Sequence, residues 1–378
     1  MKKYLLYVLL IILVGMEISC SSGKKLYKKG DYYSAVMQST DRLRRSPNHK
    51  KTRETLRKAY PMANQYYMGE INNAKSSNAA FKFSRVYETY QLLNSMYDAI
   101  RTSPGALSVI PNPQSYHNEV REFRNKAAGE RYAAGEDQLR LKNRQAAIEA
   151  YHHFMKAQEY APGYLDVEDR INEALEMATL KVLVDQVPMP TVNFQLSVEF
   201  FQDQIDRFLF NYDGNNFVRF YSPNDGLKEP DQILEVRFDE FTVGNTNNFS
   251  ASRQLVKDSV VVGQVTMEDG TKKNVIGQVK AEFIESRKEI LSKGLVTMRI
   301  LDGRSGRVLN HQKLPGEFIW VSRWASFKGD ERALEKEEIE MTKMKPLPPP
   351  PPQDLFVEFC RPILGQFQAR VSQYYSNI

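Results

Sequence analysis

Two cysteines and five histidines are the only side chains in this 378-residue chain from which thiol or imidazole chemistry could be built. The histidines do not form a metal pattern: His152 and His153 are neighbours and point to diverging helix faces, and His311 stands alone in a strand-like run. His49 and His117 have no carboxylate or cysteine at ligand spacing. Carboxylate pairs such as Asp166 with Asp169, or Glu168 with Asp169, read as a solvated helix start and not as general acid/base machinery. No glycine-rich phosphate loop of either standard kind is present. The residues therefore imply no catalytic group, no metal, no cofactor and no small-molecule substrate, although a triad can assemble from distant positions. Basic residues outnumber acidic ones 52 to 46, for a net charge of +6. That excess is spread thinly, so no nucleic-acid partner is expected. Cys360 reads as a lone buried thiol, which leaves Cys20 as the reactive one.

What surrounds Cys20 defines its chemistry. Lys2 and Lys3 precede an apolar run from Tyr4 through Val14, followed by Gly15, Ile18, Ser19 and Cys20, the order of a secretory leader. The run is too short to span about 30 Å of hydrocarbon comfortably. A cysteine placed just after it, behind a small residue, resembles the lipobox of bacterial lipoproteins, in which the thiol receives diacylglycerol and becomes the first residue of the mature chain. Glu17 stands where the lipobox carries an apolar residue. An ordinary cleaved leader, or a retained helix with an incidental cysteine, is the alternative. No acidic residue follows Cys20, and the resemblance implies a lipid-anchored protein on the periplasmic face of the outer membrane. The divisions are then 1–19 leader and 20–24 lipidated tether.

Residues 25–178 read as a helical arm. Gly30, Asp31, Tyr32 and Ala35 followed by Pro47 resemble a tetratricopeptide (TPR) repeat, as do Ala150, Phe154 and Ala157 followed by Pro162. Between them Phe83, Val86, Tyr87, Tyr90, Leu93 and Tyr97 recur at three- and four-residue intervals, the stripe of a long amphipathic helix. Thr102–Pro113, with three prolines and a glycine, reads as a loop that breaks the array in two. Such an arm implies protein partners in the envelope.

Residues 179–345 change to extended periodicity. Leu180 to Val187 reads as a first strand, and Val198, Phe201, Ile205, Phe208 and Leu209 as one face of a helix. Phe217–Tyr221 and Ile233–Phe241 read as further strands, and Val275–Ile284, Leu295–Leu301 and Val308–Trp324 as a closing meander. Asp302, Gly303, Ser305 and Gly306 predict a hairpin turn. This order, with Asp231, Ile233 and Leu234 in one strand and Leu301, Asp302, Ser305 and Gly306 in the turn, resembles the α/β domain of envelope lipoproteins related to the curli secretion protein and to activators of penicillin-binding proteins. In the last strand Phe318, Trp320 and Trp324 share one face, while Ile319, Val321 and Phe327 share the other. Either both faces are buried, or the aromatic face docks a partner. Residues 346–353 form a polyproline spacer. Residues 354–378 form a final helix whose stripe runs Leu355, Phe356, Phe359, Ile363, Phe367 and Val371, and it either packs back onto the domain or docks on a partner.

The fold class expected is α+β: an N-terminal α-helical repeat (TPR-like) arm, then an α/β domain with a mainly antiparallel sheet and a C-terminal helix. The function expected is that of a non-catalytic scaffold or assembly factor in an outer-membrane or secretion machine. The resemblance also admits a curli-type secretion-channel subunit, with Val260–Val265 and Val275–Ile284 as its spanning strand pair and Thr266–Asn274 as the turn, or an activator of cell-wall synthesis. A hydrolase of envelope glycans is the enzymatic rival. Mass spectrometry of the mature protein is expected to find acyl chains on Cys20, and Cys20→Ala to release the chain from the membrane fraction; an unacylated, freely soluble protein would contradict the lipobox assignment.

Overall fold

The computed structural model describes residues 23–185, 187–188, 195–268, 270–376 and 378, with nothing stated of side chains 195–197; Cys20 and the leader lie outside the described residues. Backbone contacts divide the chain after Ala178 into two compact units. Its class is α+β, with helices throughout the first unit and a mixed five-stranded sheet in the second.

The first unit contains α1 (Lys24–Lys28), α2 (Tyr32–Arg45), α3 (Lys50–Ser76), α4 (Lys82–Arg101), α5 (Pro104–Leu107), α6 (His117–Leu139), α7 (Arg144–Tyr160) and α8 (Val167–Ala178). The starts of α2, α3, α5 and α7 are capped by a side-chain acceptor that satisfies a free backbone N–H. Asp31 accepts from Ser34 N, His49 from Thr52 N, and Asn143 from Ala146 N. Small residues mark the close approaches. Ala35, Ala59, Ala63, Ala127 and Ala128 are fully buried in one core with Leu43, Leu56, Val86 and Leu93. A methyl group on Gly135 would come within 2.6 Å of the Phe154 ring, so glycine on α6 is what lets that ring seat on α7.

The proline-rich connection after α4 does not open a gap in the array. It is packed: Ser103 is fully buried, its Oγ donates to the Thr40 carbonyl at 3.4 Å, and a methyl on Gly105 would meet the Leu43 carbonyl at 2.4 Å. Pro104 starts α5, and the backbone N–H groups are satisfied locally, Leu107 N on the Ser103 carbonyl and Ile110 N on the Ala106 carbonyl. Asp166 is exposed at the start of α8, as expected of a solvated helix start, and it also makes a tie to α6. It accepts from Tyr132 OH and pairs with Arg170, which in turn reaches Glu136 and Glu173, so the carboxylates tie α6 to α8.

The second unit contains β1 (Leu180–Val184), α9 (Gln195–Phe210), β2 (Val218–Tyr221), β3 (Gln232–Thr266), β4 (Lys272–Asp302), β5 (Val308–Gly329), α10 (Lys336–Lys343) and α11 (Pro352–Tyr375). The sheet order is β2-β1-β3-β4-β5, with β1 parallel to both neighbours and the last three strands an antiparallel meander. The turn between β4 and β5 forms as expected. Asp302 Oδ1 accepts from Ser305 N at 2.8 Å and Ser305 Oγ at 2.7 Å, and Gly306 takes φ +67°. Asp231 lies beside it: its carboxylate accepts from Lys181 N and its carbonyl from Gly303 N, both at 2.8 Å. The two short motifs are thus joined at one sheet end.

The last helix packs onto its own domain. Phe356, Phe359, Ile363, Phe367, Val371 and Tyr375 are all at most 1% exposed and share one core with Phe201, Val236, Val296 and Met298. Burying each such side chain stabilises the unit by about 1.5–3 kcal/mol. The seat for it is a pair of glycines directly opposite one another, Gly294 on β4 and Gly316 on β5. A methyl at 294 would lie 2.5 Å from the Phe359 ring, and one at 316 would lie 2.3 Å from the Phe359 carbonyl oxygen. Cys360, 1% exposed, is part of this contact, and burial pushes its thiol pKa far up, which keeps it protonated and unreactive.

The strands are much longer than the sequence reading gave them. Residues 242–266 continue β3, and the segments 275–284 and 295–301 are parts of the single strand β4. Among the described residues no strand pairs with the outer edge of β3 beyond Leu234, and four register irregularities interrupt the pairing of β3 with β4, between Phe238 and Glu240, Thr242 and Asn245, Lys257 and Val260, and Val261 and Gly263. Irregularities of this kind twist an edge away from unwanted pairing. Gly316→Ala is expected to destabilise the second unit by about 1–3 kcal/mol through overpacking. Urea unfolding followed by tryptophan fluorescence reads this directly, because both tryptophans lie in β5.

Candidate functional site

The sheet has two covered regions on opposite faces. Alternation along β4 places Gly294, Val296, Met298 and Ile300 on the face carrying α9 and α11. Val279, Ala281 and Phe283 face the other way, into a second cluster with Ala325 of β5, with Ala333 and Leu334 from the short turn at Glu331–Ala333, and with Ile339 and Met341 of α10. Two charge pairs fasten α10 there: Arg253 to Glu338 at 2.7 Å and Lys257 to Glu335 at 3.6 Å. Asp330, which anchors the turn, is held down to about 2 by its hydrogen bonds from Arg332.

Phe318, Trp320 and Trp324 of β5 lie on the α11 face, whereas Phe327 joins the α10 cluster. Phe318 packs against the core, Trp320 and Trp324 are half-buried, and Ser322 between them is buried, its Oγ accepting from Leu347 N at 3.0 Å. Much of the face that could have docked a partner through these rings is occupied by the chain's own helix and proline-rich segment. The opposite face of the same strand is the open one, with Ile319 47% and Val321 39% exposed.

A group of exposed apolar side chains lies at the far end of the meander. Pairing between β4 and β5 stops at Ala281 and Gly329, whereas β3 and β4 go on to Thr266 and Lys272. Residues 256–266 and 272–280 therefore form a two-stranded ribbon with no third strand. The turn that closes it is tighter than expected, with Met267 N donating to the Thr271 carbonyl at 2.8 Å and Gly270 at φ +81°. Ribbon apolar side chains stand in solvent on both faces. Val262, Val265 and Val275 extend the face of the α10 cluster, and Val256, Val261 and Ile276 occupy the reverse; Ile276 is 64% exposed. Gly277 leaves room for Val262, whose methyl would lie 2.9 Å from a Cβ there. Lys257, Lys272, Lys273 and Lys280 add positive charge along the same strands. A contiguous exposed apolar patch on a folded chain marks an interaction surface.

Other concavities offer less chemistry. A cleft of about 710 Å³ opens beside the glycine pair, where two side chains are missing, and is rimmed by Glu240, Lys293 and Glu317. No nucleophile and base are paired there. The histidines serve local structure. His49 caps α3, His117 lies 3.2 Å from Asn94 Nδ2 and 3.6 Å from Asp98, and the ring of His153 packs against Phe81. Burial, reinforced by Arg131, lowers the His153 pKa. Among the described residues no group of three or more His, Cys, Asp or Glu side chains could hold a metal ion, and no helix is long and apolar enough to cross a membrane. Cys20 lies outside the described residues.

No family model matches the chain, and no curated protein does. A solved structure of a neuraminyllactose-binding hemagglutinin homologue from Helicobacter pylori aligns with 53% of this chain and 90% of its own, at 11% identity and a TM-score of 0.24. A superposition that loose carries no argument about either unit.

The ribbon was only partly visible in the sequence. Val260–Val265 and Val275–Ile284 stand out as a strand pair, but residues 242–259 carry no strand reading. A ribbon wet on both faces has no reason to alternate apolar with polar residues, so the period-two signal disappears. Ile276→Thr is expected to change unfolding free energy by less than about 0.5 kcal/mol, as for an exposed position, whereas Phe283→Ala in the adjoining cluster costs about 3–5 kcal/mol. Equal losses in urea titrations would mean that Ile276 supports the fold and is not a free surface.

Proposed function

We propose that this protein is an envelope lipoprotein, acylated at Cys20 and held on the periplasmic face of the outer membrane. It acts there as a non-catalytic assembly factor. The observation that carries the reading is the ribbon of β3 and β4, an extended pair of strands whose valines and Ile276 are exposed on both faces. Keeping such a surface in water is a liability unless something covers it in use. Two modes of cover suit a ribbon: addition of a strand from another chain along its free edge, and burial of its apolar faces in a partner groove. Both are binding functions and need no reacting group.

The helical unit is the second recruiting element, and we read α1–α2 and α6–α7 as TPR-like pairs. Support comes from the buried Ala35 on α2, with Pro47 just beyond its end, and from the buried Ala150, Phe154 and Ala157 on α7, with Pro162 beyond. Repeat arms of this kind offer an elongated binding surface to protein clients. That step is an analogy of fold.

A secretion-channel subunit is the reading that competes. The ribbon segments 256–266 and 272–280 have the length of about 9 to 11 residues that a tilted membrane-spanning strand needs. Against it, a lumen-facing side should be polar, and Val262, Val265 and Val275 on one side are matched by Val256, Val261 and Ile276 on the other. Photo-cross-linking in intact cells separates these readings. A cross-linker at Ile276 is expected to capture one or a few distinct envelope proteins, and deletion of residues 24–178 to remove a further set. Ladders of the protein cross-linked to itself would favour the channel, and no adducts above those of an exposed control position would defeat the ribbon as a docking element.

A further inference from the structure

Only Ser21 and Ser22 separate Cys20 from Gly23. A chain covers at most about 3.6 Å per residue, so an acyl anchor at Cys20 keeps Gly23 within about 11 Å of the anchored residue's backbone. Gly23 is itself firmly seated. It is buried at φ +70°, a methyl there would lie 2.6 Å from Ser39 Oγ and 2.7 Å from the Ala35 carbonyl, and its own carbonyl accepts from Tyr27 N at 3.0 Å. At most about 11 Å of chain therefore lies between the anchored residue and the seat of Gly23 on α2. Whatever lies around α1 must then sit against the lipid surface.

What lies there has the composition of a membrane-interface belt. Lys24, Lys25, Lys28 and Lys29 are exposed on α1 and its cap. The Tyr27 ring packs on Tyr32 at 5.7 Å, and Tyr32 on Tyr66 at 6.4 Å, with Tyr66 52% exposed. On α3, Lys58, Met62 and Tyr66 follow one another at four-residue intervals and so share a stripe. Of the acidic groups nearby, Asp31 caps α2 and Glu54 pairs with Lys58 at 2.8 Å, while the exposed Glu70 one turn beyond Tyr66 bounds the stripe. Tyrosine has an apolar body and a polar tip, which suits it to the headgroup layer, and lysine is drawn to anionic lipid.

We infer that this tyrosine and lysine face of α1–α3 rests in the headgroup layer of an anionic phospholipid leaflet and, together with the acyl chains, sets how the helical unit stands on the membrane. The inference builds on the acyl-anchor reading. It is tested with the acylated protein in vesicles of phosphatidylethanolamine and phosphatidylglycerol, carrying a spin label at Met62→Cys or, as control, at the exposed Asn172→Cys on α8; Cys360 is buried and escapes labelling. The label at 62 is expected to be shielded from an aqueous relaxation agent and the label at 172 to remain accessible. Equal accessibility in vesicle-bound, acylated protein overturns the inference and leaves the anchor standing. Should the protein prove unacylated, the anchor reading fails, and residues 20–378 with Cys20→Ser decide the rest. Flotation with the same vesicles at low salt, weakened about 30-fold by Lys25→Gln with Lys28→Gln at about fivefold per basic residue, supports the face. No flotation overturns it.

Discussion

The second unit depends on the seating of α11 across the glycine pair Gly294 and Gly316. With no Cβ on either strand at that crossing, the helix backbone comes down to the sheet, and Phe359 fills the space between them. Phe356 and Phe359 then meet at 4.9 Å between ring centroids, and Phe356 reaches Phe238 of β3 at 5.5 Å. Three strands are clamped by one helix through aromatic contacts in preferred tilted geometries. The proline-rich segment before α11 serves this seat as well. It carries the chain from α10 on one face to α11 on the other, and polyproline II is stiff enough to make that passage at low entropic cost.

Once the near half of the meander is clamped, the far half can extend beyond it. Strand pairing satisfies the backbone along β3 and β4, and the α10 cluster supports the middle stretch through Phe283 and Ala281. Past Gly277 the apolar side chains stay exposed on both faces, and Arg332 reaches the Val261 carbonyl at 2.6 Å. Apolar side chains there contribute little to folding stability because they stay wet, so their presence has to be explained by something other than the fold. The binding role proposed for the ribbon is consistent with both their chemistry and their position. The free edge of β3 raises the same issue, and its four irregularities limit indiscriminate pairing without removing the edge.

The helical unit concentrates its unusual surface elsewhere, at its first three helices. Rings of Tyr27, Tyr32, Tyr66 and Tyr67 form a connected half-exposed set. Tyrosines within the core behave differently. Burial pushes Tyr116 and Tyr160 up to about 12, so they remain neutral hydrogen-bonding core residues, Tyr160 donating to Glu88. The same residue type thus serves packing in one place and an amphipathic surface in another, according to which neighbours exclude water.

Sequence alone determined several of the elements that bury one face. The stripe on α4, the apolar face of α9, the short strands β1 and β2 and the long stripe of α11 all announced themselves, because one-sided burial imposes a period of 3.6 or 2 on the residues. The Asp302 turn was legible for a different reason, since its side chain and Gly306 encode the local backbone directly. Tertiary structure decided the rest. Alternation put Phe318, Trp320 and Trp324 on one face, but only the path of α11 and the proline-rich segment determined that this face is the covered one. Asn245–Asn248 and Glu285–Lys293 became strand because their neighbours hold them in register, a long-range pairing that leaves no mark on the local pattern of residues with two wet or half-wet faces.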